Sequence, residues 1–285
     1  MFIGLEKEHA DFQKLFTEYA QDYFAARRKI NPKFEGFWPA LEYSFANGGK
    51  RFRPFLSYLT AKTFSFPEKN ILALALAIEL IHTYSLIHDD LPCMDNDDFR
   101  RGQPTNHKVY GEAIALLAGD ALQSEAFHCL ATDKENSAWA KIQLIMQFSQ
   151  AIGPLGMVGG QVLDMQADKN ISISDLEEIH RYKTGALIEL ACVGVGILAE
   201  APAELLKNLQ VYSENLGLAF QIKDDLLDGS DNEQDFKSYL KILGPEKTGN
   251  LLQVHSEQAL AALQNVSHST KYLNAMVEFN LNRKK

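Results

Sequence analysis

Apolar residues recur at three- and four-residue spacing through most of the chain. That period predicts helices over residues 4–29, 37–46, 54–64, 70–91, 110–131, 136–152, 174–199, 204–228 and 248–283. Between them fall the expected breaks: Asn31-Pro32, Asn47-Gly48-Gly49, Phe66-Pro67, Gly102-Gln103-Pro104, Gly153-Pro154 and Gly244-Pro245. The stretch "SISD" at 172–175 reads as a helix start, with Glu177 and Glu178 close behind. No segment alternates apolar and polar residues as a half-buried strand would. Two predicted helices, 70–88 and 185–199, are apolar nearly all round, which places them in the middle of a large bundle. There is no internal repeat, no low-complexity tract and no linker. The expectation is one all-α domain spanning residues 1–285.

Composition narrows the function classes. The 285 residues carry a formal charge of −9, a poor background for general nucleic-acid binding. An anionic ligand would need a local cluster of cations. Three widely spaced cysteines, Cys93, Cys129 and Cys192, match neither a zinc site nor a disulfide framework. The first residues, "MFIGLEKEHADFQKLF", lack the apolar core of a secretion signal. The longest apolar runs, Ile71–Ile81 and Ala186–Ala199, carry Glu79 and Glu189 and fall short of the ~20 residues of a membrane span. A cytoplasmic protein with no stable membrane anchor is expected.

Candidate chemistry begins where the first apolar helix ends, in "HDDLPCMDNDDFRRG" (88–102). Asp89, Asp90 and Asp95 lie at a helix C-terminus, where carboxylates oppose the helix dipole and repel one another, and Pro92 stops the helix. An acidic turn is ordinarily a solvated surface feature. Here the helix leading in is too apolar for a surface element, so the carboxylates need a compensating cation. A hard divalent ion with oxygen ligands, Mg²⁺ or Mn²⁺, would supply it. A second cluster repeats the arrangement. In "AFQIKDDLLDGS", Gln221, Asp224, Asp225 and Asp228 fall within a ~100° stripe of one helix. Two such clusters facing each other would form a cage for two or three metal ions. Because Mg²⁺ usually takes part of its shell from substrate phosphates, the cage predicts a phosphorylated substrate.

Cations accompany both clusters. Lys50, Arg51 and Arg53 follow a Gly-Gly turn, Arg100 and Arg101 close the first acidic stretch, and Lys183-Thr184 lie in "HRYKTG". Each alone would be read as a surface ion pair. Together they describe two anion sites, one bridged by metal and one held directly by Lys and Arg. His82 lies two turns before Asp89 and reads either as a core histidine or as a donor to phosphate.

These motifs together resemble the trans-isoprenyl diphosphate synthase family, and within it the bacterial-type farnesyl diphosphate synthases. "GGKRFRP", "IELIHTYSLIHDDLPCMDNDDFRRGQPTNH", "GMVGGQVLDM", "IHRYKTGALIELA" and "GLAFQIKDDLLD" stand in that family's order and spacing across nearly the whole chain. The resemblance implies an all-α bundle of the isoprenoid-synthase type around a deep central cavity, forming a homodimer. It implies Mg²⁺-dependent condensation of isopentenyl diphosphate with an allylic diphosphate, giving mainly the C15 product. Carried over, Asp89 and Asp95, supported by Asp90, would ligate Mg²⁺ on the allylic diphosphate. Asp224 would hold a further Mg²⁺, with Asp225 and Asp228 completing the acidic wall. Arg100, Lys183, Thr184, Gln221 and Lys237 would contact the allylic substrate. Lys50, Arg53, His82 and Arg101 would hold isopentenyl diphosphate.

Tyr84 stands five residues before Asp89, ~7.5 Å lower along the helix axis. It reads either as core packing or, by the family pattern, as the floor that limits product length, with the small Ser85 beside it. Two departures are plain: after "DDLLD" the segment "GSDNEQDFK", ending at Lys237, is shorter than in most relatives and lacks their Gly-Lys pair, and Lys223 replaces a common glutamine. Alternative readings are a geranyl or geranylgeranyl diphosphate synthase, a terpene cyclase, a non-catalytic prenyl synthase subunit, and a helical Mg²⁺/phosphate-binding protein.

Overall fold

The helical period is realised along most of the chain in the computed structural model, which describes residues 2, 4–229, 236–264 and 266–284. The long helices are α1 (Glu6–Arg28), α2 (Trp38–Ala46), α3 (Phe52–Thr63), α4 (Leu72–Asp89), α6 (Glu112–Thr132), α7 (Ala138–Ile152), α10 (Ala186–Leu198), α11 (Ala203–Asp228), α13 (Pro245–Ala262) and α14 (Lys271–Asn282). Shorter ones are α5 (Asn106–Tyr110), α8 (Met157–Gln166), α9 (Ile173–His180) and α12 (Tyr239–Leu243). The fold is all-α, as the period predicts.

The structure differs from the sequence expectation at four places. The predicted helix 248–283 is two helices, since the run Ser267–Thr270 is rich in residues that compete with helical hydrogen bonding. The predicted helix 174–199 is broken by a π-helical turn, Arg181–Gly185, between α9 and α10. The helices α5, α8 and α12 have no counterpart in the prediction: all are short, and the period of α8 is masked by Gly159 and Gly160. A two-residue antiparallel ladder also forms, β1 (Phe99–Arg100) with β2 (Gln103–Pro104), too short to leave an alternating pattern. At the "SISD" start, Ser172 caps α9 by accepting from Asp175 N at 3.2 Å.

At the centre lies α4. Every residue from Leu72 to Ile81 is buried, and the helix packs against α3, α6 and α10. Joined to the 3-10 turn before it, the segment Glu68–Asp89 is 22 residues long and apolar enough to cross a membrane, contrary to the expectation that it falls short. In this fold 78% of it is buried inside the protein, the behaviour of a core helix. The second apolar helix, α10, is likewise buried against α3, α7 and α11. A smaller apolar cluster of Leu176, Ala219, Ile222, Tyr239 and Leu252 joins α9, α11, α12 and α13, and so fixes the end of α11 where the second aspartate motif lies. At the other side, Arg27 and Tyr23 of α1 hold Glu125 of α6 through bonds of 2.6–2.7 Å.

Candidate active site

The first aspartate motif is shaped by its own loop. Beyond Asp89 the chain reverses, so that Asp95 N donates to Asp89 O at 2.8 Å and Asn96 N to Leu91 O at 3.2 Å. Pro92 ends the helix and Asn96, at φ 55°, makes the reversal. The four residues between Asp90 and Asp95 therefore bring the motif's last aspartate back beside its first. Burial raises the Asp89 carboxyl to about 6; Lys183 and Arg100 pull it down, and Asp95 and Asp90 push it up. Asp90 is placed differently. It is buried, and Arg100 grips it through Nε at 2.7 Å and Nη2 at 2.6 Å while also reaching Asp97 at 3.3 Å. Asp98 pairs with Lys108 at 2.6 Å. Among the described residues the Asp89 and Asp95 carboxylates make no ion pair, whereas Asp90 holds Arg100 in place.

The β1–β2 hairpin turns through Arg101 (φ 54°) and Gly102 (φ 77°), the two-residue turn whose positive φ angles match strand twist. A left-handed arginine costs about 1–2 kcal/mol; Arg101 is held there by donating from Nη1 to Gly48 O at 2.5 Å. Gly49 has to be glycine: its φ is +122°, and a Cβ would lie 2.7 Å from the Arg101 guanidinium. Arg51, the next left-handed arginine (φ 48°), is committed to the scaffold, pairing with buried Glu79 at 2.5 Å and lying over Phe45. Arg53 has a buried Nε with no hydrogen-bond partner, and its charged neighbours include Glu79, Asp224 and Arg101. Burial, with Arg53, Arg101, Arg51 and Arg100 around it, holds His82 well below its ordinary pKa, so it is neutral at pH 7. Lys50 lies near Asp224. The four residues expected at one anion site, Lys50, Arg53, His82 and Arg101, thus stand in one cationic neighbourhood.

At the end of α11 the second motif divides in the same way. Burial raises Asp224, Arg283 lowers it through a 2.6 Å ion pair, Asp228 raises it and Lys50 lowers it. Arg283 follows α14 and is itself buried, donating also to Phe220 O at 2.9 Å and Asn280 Oδ1 at 2.9 Å. Asp225 turns to the start of α12, accepting from Tyr239 N at 2.7 Å. Asp228 is exposed at the helix end. Gln221 meets His180 Nδ1 at 3.3 Å, and Lys223 donates to Leu281 O at 2.9 Å. The segment 230–235, where the shortened loop falls, lies outside the described residues. The cage of six facing carboxylates expected from the sequence is not preformed: Asp90 and Asp225 serve the scaffold and Asp224 holds an arginine. Among the described residues, no three His, Cys, Asp or Glu side chains converge as a metal site. The available donors are hard carboxylate oxygens, and desolvated Asp89 beside Asp95 is a place where a cation would relieve a raised carboxyl. That set fits an ion such as Mg²⁺ that completes its shell from substrate oxygens.

Lys183 and Thr184 lie in the π-helical turn, a wide turn common at functional sites. The turn rests on α8 at Gly160, where a Cβ would sit 2.3 Å from Lys183 N. Lys183 pairs with Asp164 of α8 at 2.6 Å, and Lys237 pairs with the same carboxylate at 2.5 Å. Asp164 and Arg283 are the site residues that sequence reasoning passed over. Asp164 stood in the quoted motif "GMVGGQVLDM" as its one acidic residue; Arg283 gave no signal, being a single cation distant from every motif. Tyr84 is buried beside His88, with its hydroxyl unpartnered, and Ser85 donates to His82 O at 3.0 Å.

Comparison with known proteins finds relatives that cover most of the chain. The farnesyl diphosphate synthase of Micrococcus luteus is 41% identical over 92% of this chain and 94% of its own. That of Bacillus subtilis is 43% identical over 76% and 78%. The apo crystal structure of an FPP/GFPP synthase from Zymomonas mobilis superposes with a TM-score of 0.83 at 34% identity, covering 95% of this chain and 99% of that one. The Polyprenyl synthetase family matches residues 37–241, a span that contains both aspartate motifs, the cationic neighbourhood and the π-helical turn, and the chain belongs to that family.

Proposed function

We propose that the protein is a short-chain trans-prenyltransferase that condenses isopentenyl diphosphate with dimethylallyl or geranyl diphosphate, releasing diphosphate and giving mainly farnesyl diphosphate. The observation that carries this reading is the adjacency of two unlike sites. One is the desolvated carboxylate of Asp89, with the exposed Asp95 folded back beside it and Lys183 close by. The other is a group of cations around Arg53 and neutral His82, where the buried Arg53 Nε has no hydrogen-bond partner among the described residues. An allylic diphosphate suits the first, with Arg100, Lys183, Thr184, Gln221 and Lys237 around it. Isopentenyl diphosphate suits the second, with Lys50, Arg53, His82 and Arg101.

Asp89, Asp95 and Asp224, with Asp228 nearby, would hold Mg²⁺ or Mn²⁺; bound there, the metal neutralises charge developing on the departing diphosphate. Lys183 and Arg100 hold the same diphosphate by direct hydrogen bonds as its allylic C–O bond breaks. Arg53 and Lys50 fix the other diphosphate so that the isopentenyl double bond faces the allylic carbon. His82, neutral, donates a hydrogen bond without adding charge to a site already crowded with arginines. The proton lost after C–C bond formation goes to the released diphosphate, so no side-chain base is required. Tyr84 closes the hydrocarbon path, its ring stacked edge-on against His88 at 5.5 Å. The chain acts as a cytoplasmic homodimer, a reading supported by exposed apolar side chains at helical spacing on α6 and α7, among them Ile114, Leu117, Trp139, Ile142 and Met146.

The test is incubation of the pure protein with isopentenyl diphosphate, each allylic diphosphate in turn and Mg²⁺, followed by product chromatography. A C15 product is expected, and no chain extension with any partner would overturn the enzyme reading. Tyr84→Ala should lengthen the product; an unchanged C15 product would remove Tyr84 from the role of floor.

A further inference from the structure

Asp164 has no part in the reaction as just described, yet it organises two residues that do. Its side chain is 16% exposed and lies on α8, three residues after Gln161. Each carboxylate oxygen takes one lysine: Oδ2 takes Lys183 at 2.6 Å and Oδ1 takes Lys237 at 2.5 Å, with Lys237 also donating to the Asp164 carbonyl at 3.1 Å. Burial raises the carboxyl, but the hydrogen bonds and charges of Lys183 and Lys237 outweigh it and leave the pKa below the ordinary value. Asp164 is therefore ionised at pH 7. The lysines arrive from separate segments, the π-helical turn and the stretch before α12. Without a shared counter-ion, two ammonium groups this close repel each other.

The geometry points to Asp164 as a positioning residue that brings the Lys183 and Lys237 ammonium groups together, with Lys183 close to Asp89, before the allylic diphosphate arrives. This inference rests on the proposed function. Three observations carry it. Both oxygens of Asp164 are occupied by lysines, so it is not an open metal ligand. The carboxylate is more buried than either lysine, at 16% against 32% and 30% exposed, so the ammonium groups are its outward side. Lys183 is also the cation with the largest influence on Asp89. An ammonium has three donors, and Lys183 uses one on Asp164, which leaves it able to turn others to an anion while staying tethered. The tether is rigid, because α8 and the turn meet backbone to backbone at Gly160.

Asp164→Asn keeps the shape and removes the charge. The expected result is an allylic KM raised at least about tenfold, with the isopentenyl KM within about twofold of wild type and the thermal midpoint little changed. Asp164→Glu should lie between the two. A double-mutant cycle gives a readout that a structural role would not move: Lys183→Ala should cost much less in kcat/KM in the D164N background than alone. An allylic KM within twofold of wild type in D164N would overturn the inference. So would a cost of Lys183→Ala that is equal in both backgrounds, or a D164N protein that fails to fold, which would make Asp164 a structural residue. Failure of the proposed function itself would show separately, as wild-type protein that extends no allylic substrate.

Discussion

At the end of α4 the chain folds its own loop back onto the aspartates, whereas at the end of α11 it brings in Arg283 from beyond α14. In the first motif the long "DDxxxxD" spacing is a reversal closed by Asp95 N to Asp89 O, so both ligand-facing carboxylates are local. In the second, Asp224 is met by a cation remote in sequence, and the following segment is anchored by Asp225 to Tyr239 N. In each motif the second of the two adjacent aspartates serves the scaffold, while Asp89 and Asp224 are the ones we propose for the site. The scaffold partners differ, a guanidinium for Asp90 and a backbone N–H for Asp225. A charged partner left behind is costlier than an uncapped amide, so the two motifs should fail unequally.

The largest effect should come from a site-facing aspartate. Asp89→Asn should lower kcat/KM with saturating Mg²⁺ by about a thousandfold, measured as radiolabelled product formation. A loss under tenfold would mean that the first motif is not where the diphosphate charge is handled. The scaffold aspartates should separate next. Asp90→Asn leaves Arg100 without its buried counter-charge and should destabilise by about 2–3 kcal/mol, below the ~3–5 kcal/mol of a fully buried pair because Arg100 is a third exposed. Denaturant midpoints at pH 7 would measure it.

Smaller still is a stability effect of opposite sign at Asp89. Its folded pKa, about 6, lies above the ordinary carboxylate value of 3.8, so the folded state favours the protonated form. Its stabilising contribution is complete below pH 3.8 and is lost as pH rises through 6. In EDTA, Asp89→Asn should therefore be more stable than wild type by about 1–2 kcal/mol at pH 8 and equal to it near pH 3.5. The variant most damaging to activity would be the one that relieves the metal-free fold, and a D89N protein less stable at pH 8 would contradict that. The smallest effect falls on the other scaffold aspartate. Asp225→Ala should cost about 1 kcal/mol, the scale of a lost helix cap, with little change in the first motif's behaviour.

Much of this architecture was legible before any coordinates. Long amphipathic helices follow from a local 3.6-residue period, and α4 and α10 show their central position by being apolar all round. The aspartate motifs, the cationic runs and the match of five motifs in order to a known family are also linear properties. What remained hidden was short or remote. The helices α5 and α12 are too brief to express a period, glycines mask that of α8, and the hairpin at Arg101 is two residues on each side.

The sequence by itself determined the helical class and the family, and suggested the residues of the two anion sites proposed here, because helix period and motif spacing are encoded within a few turns of chain. Only the tertiary structure decided which charge answers which. Asp90 and Asp89 are adjacent and chemically identical, yet one is buried against Arg100 and the other faces Lys183. Arg51 and Arg53 share a motif, yet one holds Glu79 and the other keeps an unpartnered Nε. Lys183, Lys237 and Asp164 come from three segments and meet at one carboxylate. Charge pairing is set by distance and burial, and both are properties of the packed chain rather than of neighbours along it.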